Sequence, residues 1–229
     1  MRGENPVKQT FLLMAVVCMI LGSGAYAHNY VPNDLSHRTA ETALKITDLT
    51  LSQVIYDPLP QEGQLWLTFD AKAGDLLYLQ LGVPYLERLA DYRPSLVLIG
   101  PEGTGSDTVP FPVPQGLTVR RFDSTDRQPR FFDEPFTGTQ SWILVEEEFN
   151  LIADGTYYLV AFDPEGRGGK LWTAWGKREA FTFRDILSLH KVIGDVRAFH
   201  EVENRRKPFL TWTISALSSV LDLLFFWVK

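Results

Sequence analysis

The chain is nearly free of cysteine and has no excess of basic charge. Its 229 residues include one cysteine, Cys18, which lies in an apolar stretch near the N-terminus. The rest of the chain therefore offers no thiol nucleophile, no cysteine metal ligand and no disulfide. The net charge is -6, and no long basic run occurs. Because polyanion binding needs clustered positive charge, we expect no nucleic-acid partner.

Short motifs of the common enzyme classes are also missing. The sequence contains no G-x-S-x-G, no H-E-x-x-H and no G-x-x-x-x-G-K-[ST]. A cryptic secreted hydrolase that combines His190 with a serine and an aspartate remains a third functional hypothesis. Asp163 and Glu165 lie on a loop where calcium could bind, but their spacing matches no EF-hand. Solvated turn charges are the simpler interpretation of these carboxylates.

The N-terminus has the pattern of a secretory signal peptide. Arg2 and Lys8 precede the apolar residues 11–21, and residues 25–27 read Ala-Tyr-Ala, a small-x-small cleavage pattern. We predict a signal peptide over residues 1–27 and an extracytoplasmic location for the remainder. An uncleaved membrane anchor is the alternative, although the apolar stretch is shorter than the roughly 20 residues that a membrane span needs.

The C-terminus predicts a membrane anchor over residues 208–229. Residues 209–228 contain one formal charge, Asp222, and as a helix would measure roughly 30 Å, the thickness of the hydrocarbon core. Ser215, Ser219 and Asp222 fall on one polar stripe, which predicts contact with another membrane helix. We therefore expect membrane lipid as a partner, together with another membrane helix or an exported protein.

Two observations keep other interpretations of this tail open. Residues 205–207, Arg-Arg-Lys, would lie on the outer side of the membrane, against the positive-inside tendency. The moderate hydrophobicity of the tail is also compatible with a helix that lies in the interface, or with one docked on the protein itself.

The middle of the chain predicts an antiparallel, jelly-roll-like β-sandwich over residues 44–181. Residues 64–70 alternate apolar and polar side chains with a period of two, and Gly- and Pro-rich turns separate further short apolar runs. Further strands are predicted at 76–84, 95–100, 140–148, 155–163 and 168–176, with 101–116 and 122–139 as connections. Residues 28–43 are predicted as an extended leader. Apolar residues three or four apart predict an amphipathic helix and basic linker over 182–207, with the helix capping the sandwich.

Several segments carry a resemblance to a known domain. They are SQVIYDPLP, FDAKAGDLLYLQLGVP, RPSLVLIGP, FDEPFTGT and GTYYLVAFDPEGRGGKLWTAWGKREAFTF. Together they resemble a family of exported prokaryotic proteins and are similar to the bacterial pre-peptidase C-terminal β-sandwich domain. The resemblance implies a non-catalytic module with no catalytic residues to transfer. The first functional hypothesis is therefore a non-catalytic, membrane-anchored, extracytoplasmic binding or scaffolding module without a cofactor.

A copper-binding protein is the alternative hypothesis. Cleavage after residue 27 would make His28 the mature N-terminus, whose α-amine and imidazole could chelate Cu(II) together. This arrangement resembles the histidine brace of copper proteins and lytic monooxygenases, which needs a second imidazole. His37, His190 and His200 are the candidates for that second ligand.

Two tryptophans near the end of the predicted sandwich are candidates for a binding surface. Trp172 and Trp175 are three residues apart on one predicted strand, so their side chains should point to opposite faces. Packing in the core is the simpler interpretation of both, and an exposed tryptophan that stacks on a sugar or a partner is the alternative.

Overall fold

A computed structural model of the chain describes residues 28–180 and 183–202, with side chains described outside 183–188. The predicted signal peptide at 1–27 and the predicted anchor at 208–229, including Ser215, Ser219 and Asp222, lie outside the described residues. Among the helices that are described, none is both long enough and apolar enough to cross a membrane.

Eleven strands and one α-helix make up the regular structure of the described residues. Some strands alternate buried and less buried side chains over part of their length, whereas the central strands are buried along most of it. The strands are β1 (Asn29–Val31), β2 (Leu44–Lys45), β3 (Gln53–Leu59), β4 (Gln64–Ala71), β5 (Leu76–Pro84), β6 (Ser95–Gly100), β7 (Thr118–Phe122), β8 (Arg130–Glu134), β9 (Thr139–Asn150), β10 (Gly155–Phe162) and β11 (Gly169–Trp175). The helix is α1 (Phe183–Phe199), and two short 3-10 turns occur at Ala40–Thr42 and Glu87–Leu89.

The strands form two sheets. The six-stranded sheet has the order β1-β3-β11-β5-β9-β8, and the five-stranded sheet has the order β2-β4-β10-β6-β7. The prediction of a mainly β chain followed by a helix is confirmed. The sheets are mixed rather than purely antiparallel, because β1 runs parallel to β3 and β2 runs parallel to β4. Neither parallel pair is joined by a tight hairpin, since parallel strands need a crossover between them.

The main hydrophobic core draws on both sheets. Leu67 and Phe69 of β4 and Leu79 and Leu81 of β5 belong to one cluster and are almost completely buried. The ring of Phe69 stacks on Tyr157 of β10 with ring centroids 5.5 Å apart. Burial of this apolar surface is the main driving force that holds the sandwich together.

Residues 28–43, predicted as an extended leader, are part of the folded body. They contain β1 and the first 3-10 turn. Arg38 Nη1 donates to Asp57 Oδ1 at 2.9 Å, and Asn33 Nδ2 donates to Asp57 Oδ2 at 2.7 Å. Because the Asp57 side chain is fully buried, these bonds fix the segment firmly to β3.

Helix α1 packs on the outer face of the six-stranded sheet. Ile193 and Val196 are buried in this contact. At the same place Arg197 Nη1 donates to the carbonyl oxygen of Thr137, in the β8–β9 turn, at 2.9 Å. The helix therefore covers the face of the sheet that points away from the main core.

Candidate ligand cavity

A cavity of about 450 Å³ lies between α1 and the outer face of the six-stranded sheet. Successive side chains of a strand point to opposite faces, so alternate residues of β3, β5, β8, β9 and β11 form its floor. The helix contributes Leu189, Val192 and Val196. The site is therefore built by helix packing on a sheet and not by a single loop or motif.

The floor of the cavity is apolar and aromatic in its middle. Val54, Ile143 and Trp172 belong to a second hydrophobic cluster, against which Tyr56 and Phe132 pack. This cluster lies on the opposite side of the sheet from the main core. An apolar floor with a few polar groups around it is the usual composition of a small-molecule site.

A glycine explains how Trp172 lies on this floor. A Cβ atom at Gly82 on the neighbouring strand would come within 2.2 Å of the Trp172 ring, so the indole rests where a side chain would otherwise be. The predicted opposite orientation of the two tryptophans is confirmed, since Trp175 belongs to the main core. Both are buried, as the simpler interpretation predicts: Trp172 is 5% exposed and Trp175 is 1% exposed, so the alternative of an exposed tryptophan is wrong.

A chain of three hydrogen-bonded side chains connects the helix end to the sheet. Trp172 Nε1 donates to Ser141 Oγ at 3.1 Å, and Ser141 Oγ lies 3.0 Å from His200 Nε2. His200 Nδ1 is 2.8 Å from the carbonyl oxygen of Val196, which can only accept. The proton therefore sits on Nδ1, and Nε2 accepts from the serine. Burial lowers the pKa of His200 to about 4, so the imidazole is neutral near pH 7.

The polar mouth of the cavity is formed around Glu146. Its carboxylate accepts from Tyr78 Oη at 2.6 Å, from Arg130 Nη2 at 2.6 Å and from Gln80 Nε2 at 3.1 Å. Burial alone would raise the pKa of Glu146, but these bonds outweigh burial and the pKa is lowered. The carboxylate is therefore ionised, and Arg130 balances its charge.

Glu134, at the end of the edge strand β8, is in a different situation. Its Oε1 accepts from the backbone N–H of Phe136 at 2.8 Å. Within the described part of the chain, no lysine, arginine or histidine forms a salt bridge with it. Burial raises the pKa of Glu134, and the neighbouring charge of Asp133 adds to the increase. Among the residues whose side chains are described, Glu134 is thus a half-buried carboxylate without a cationic partner.

His28, the predicted copper ligand, also lines the cavity. Its Nδ1 lies 2.6 Å from Ser52 Oγ, and burial lowers the pKa of the imidazole despite a hydrogen bond with Gln80. Burial thus favours the neutral imidazole that a metal requires. His28 accordingly combines a polar anchor on the sheet with a ring that faces the cavity.

The other histidines are placed less favourably for a brace. His37 Nδ1 donates to the carbonyl oxygen of Thr42, outside the cavity, and His190 is exposed on the helix. His200 lines the same cavity as His28, but the two contact different parts of the chain. His28 is bonded to Ser52, whereas His200 packs against Tyr56. These two positions are four residues apart, which corresponds to about 13 Å along an extended strand. No group of three His, Cys, Asp or Glu residues in the described ranges could hold a metal. Copper binding by His28 stays a prediction, which Cu(II) titration of the mature chain tests.

In the candidate calcium loop, backbone N–H groups of the loop itself donate to the carboxylate of Asp163. Asp163 Oδ1 accepts from the N–H of Glu165 at 3.1 Å, and Oδ2 accepts from the N–H of Arg167 at 2.9 Å. The interpretation of Asp163 as a solvated turn charge is wrong, since this residue is 6% exposed. Its carboxylate instead stabilises the turn between β10 and β11.

Sequence patterns did not bring the polar residues of the cavity together at one site. Glu134 lies in a stretch predicted as a connection, and Gln80 interrupts an apolar strand. A polar residue inside an apolar run is a signal that could have pointed to the outer face, because such a residue, once buried, needs a partner on that side.

No family model and no curated protein matches the chain. Among solved structures, it is similar to the pre-peptidase C-terminal domain of a collagenase from Bacillus anthracis, at 15% sequence identity and a TM-score of 0.32. The similarity covers 57% of this chain and 91% of that domain. The cavity is therefore interpreted from its own residues.

Proposed function

We propose that the chain is a non-catalytic binding module built on a jelly-roll-like β-sandwich, and that the cavity under α1 is its ligand site. The observation that supports the proposal is the cavity itself, about 450 Å³ in volume, with an apolar floor and a few inward polar groups. Cavities of this size and composition are the usual sites for small ligands.

The module is proposed to act outside the cytoplasm, held at the membrane by residues 208–229. The sequence supports this through the leader pattern at 1–27 and the apolar C-terminal segment. Ser215, Ser219 and Asp222 are proposed to contact another membrane helix. Carbonate extraction of the full chain and of a chain that ends at Arg206 tests the anchor. Equal extraction of the two chains would contradict it.

A fragment screen with two tryptophan variants tests the ligand site. Val192→Trp places a large ring into the cavity, whereas Lys191→Trp places the same ring on the exposed side of the helix. We expect some fragments to protect the wild-type chain and the Lys191→Trp variant against thermal unfolding, and to have no effect on Val192→Trp. Equal protection of all three chains would place the binding elsewhere and refute the proposal.

Acyl transfer is a second candidate function, favoured by the Ser141–His200 pair. A serine hydroxyl within 3.0 Å of a neutral imidazole nitrogen is the arrangement of an activated nucleophile. Against it, the pKa of about 4 makes His200 a weak base, and Trp172 already donates to the serine oxygen. A fluorophosphonate probe tests this function. Labelling that Ser141→Ala abolishes would favour the hydrolase, and the binding module predicts no labelling.

A further inference from the structure

Charged groups at the cavity define the chemistry that a ligand must bring. Two cations occur among its described lining residues, and each has an acidic partner: Arg130 pairs with Glu146 at 2.6 Å, and Lys177 pairs with Glu148 at 2.7 Å. Among the described lining residues, Glu134 is the charged side chain left without an oppositely charged partner.

The groups around Glu134 in the described part of the chain do not neutralise it. On its own hairpin, Asp133 adds negative charge, and the N–H of Phe136 supplies one hydrogen bond to Oε1. From the helix, Arg197 reaches the same hairpin but donates to the carbonyl oxygen of Thr137. A half-buried carboxylate with one backbone donor retains lone pairs that a charged donor can fill.

Aromatic rings surround the same space. Tyr56, Phe132, Phe136 and Trp172 all line the cavity. Burial raises the pKa of Tyr56, and the nearby charge of Glu134 adds to the increase. Aromatic faces attract cations, and this attraction strengthens where water is excluded.

We propose that the cavity binds an organic ammonium ion, with the charged nitrogen at Glu134 and an aromatic or aliphatic body against the rings of Tyr56 and Trp172. The proposal rests on the proposed function of the cavity as a ligand site. An anionic ligand would lie beside a like charge, and a neutral ligand would leave the carboxylate without a cation. A cationic ligand satisfies both the carboxylate and the aromatic walls.

Benzylammonium and benzyl alcohol test the proposal, because they share a ring and a chain length and differ in charge. Binding of each to the full chain in detergent is measured by isothermal titration. We expect benzylammonium to bind more tightly than benzyl alcohol by about tenfold or more, the effect of a charged hydrogen bond.

A matched pair of variants assigns the charge to one residue. Glu134→Gln keeps the shape of the side chain and removes its charge inside the cavity. Asp133→Asn likewise removes one carboxylate charge, but from the exposed neighbouring residue. Benzylammonium binding should weaken about tenfold or more in Glu134→Gln and stay within about twofold of wild type in Asp133→Asn. Glu134→Asp, which keeps the charge, should retain part of the affinity and shows that loss in Glu134→Gln is not misfolding.

Other outcomes overturn the ammonium proposal. Equal binding of the two probes, with no effect of Glu134→Gln and loss of both in Val192→Trp, would leave the ligand site in place and refute its preference for cations. If neither probe binds, the ammonium proposal also fails, and the fragment screen decides the proposed function independently.

Discussion

The neutral state of His200 makes the stability of the fold depend on pH. This imidazole is 4% exposed and joins α1 to the six-stranded sheet through Ser141. Its pKa in the folded chain is about 4, against an ordinary value of 6.5, because burial disfavours the charged form. We predict that acidification below pH 6.5 destabilises the chain, with His200 as a main contributor.

The sign and size of the effect follow from proton linkage. Between pH 6.5 and about 4 the unfolded chain binds a proton at His200 and the folded chain does not, so stability falls as the pH falls through this window. The loss is complete below the folded pKa and corresponds to about 3 kcal/mol. Burial also lowers the pKa of His28, which acts in the same direction.

Urea unfolding of wild type and His200→Gln between pH 4 and pH 7 isolates the contribution. Glutamine cannot take up the proton, so the wild-type free energy of unfolding should fall by about 3 kcal/mol more than that of the variant over this range. An NMR titration of the His200 ring gives the folded pKa directly. A midpoint near 6.5, or parallel pH profiles of the two chains, would refute the reasoning.

Further predictions concern the cavity floor and the N-terminal segment. Gly82→Ala should destabilise the chain by about 1–3 kcal/mol, because the new methyl group displaces the Trp172 ring. In contrast, Gly194→Ala should stabilise the chain by about 0.5–1 kcal/mol, because Gly194 lies on the helix with open space around it. Equal denaturation midpoints for the two alanine variants would contradict this. Arg38→Met should lower the free energy of unfolding in urea by about 3 kcal/mol, since Asp57 stays buried without its cation. A loss below about 1 kcal/mol would contradict this and show that the hydrogen bond from Asn33 is enough for the buried Asp57 carboxylate.

Much of the sandwich follows from local sequence pattern. The strand predicted at 64–70 is β4, the one predicted at 76–84 has the bounds of β5, and the one predicted at 95–100 has the bounds of β6. These segments succeed because both their periodicity and the turns that follow them are encoded within a few residues. Gly74, for example, has a φ of 92° in the turn between β4 and β5, where glycine is free of strain.

Strands at the edges of the two sheets are harder to predict from the sequence than the central strands. The stretch 122–139, predicted as a connection, contains β8, which pairs with β9 alone. In β8 polar and apolar residues do not alternate cleanly, because one side of an edge strand faces no second strand and its outer face meets a helix. The parallel pairing of β1 with β3 and of β2 with β4 likewise depends on distant partners. It leaves no periodic signal in segments as short as β1 and β2.

The cavity results from a mismatch of widths that no local pattern encodes. Six strands spaced about 4.8 Å apart form a face roughly 24 Å wide, whereas one helix with its side chains covers about 10 Å. Helix α1 therefore covers only part of the face, and polar residues such as Gln80, Glu134 and Glu146 line the cavity together with the apolar cluster. Their position depends on strand order, since β5, β9 and β8 become neighbours only in the folded sheet. A candidate site of this kind is visible only once the pairing of the strands and the placement of the helix are known.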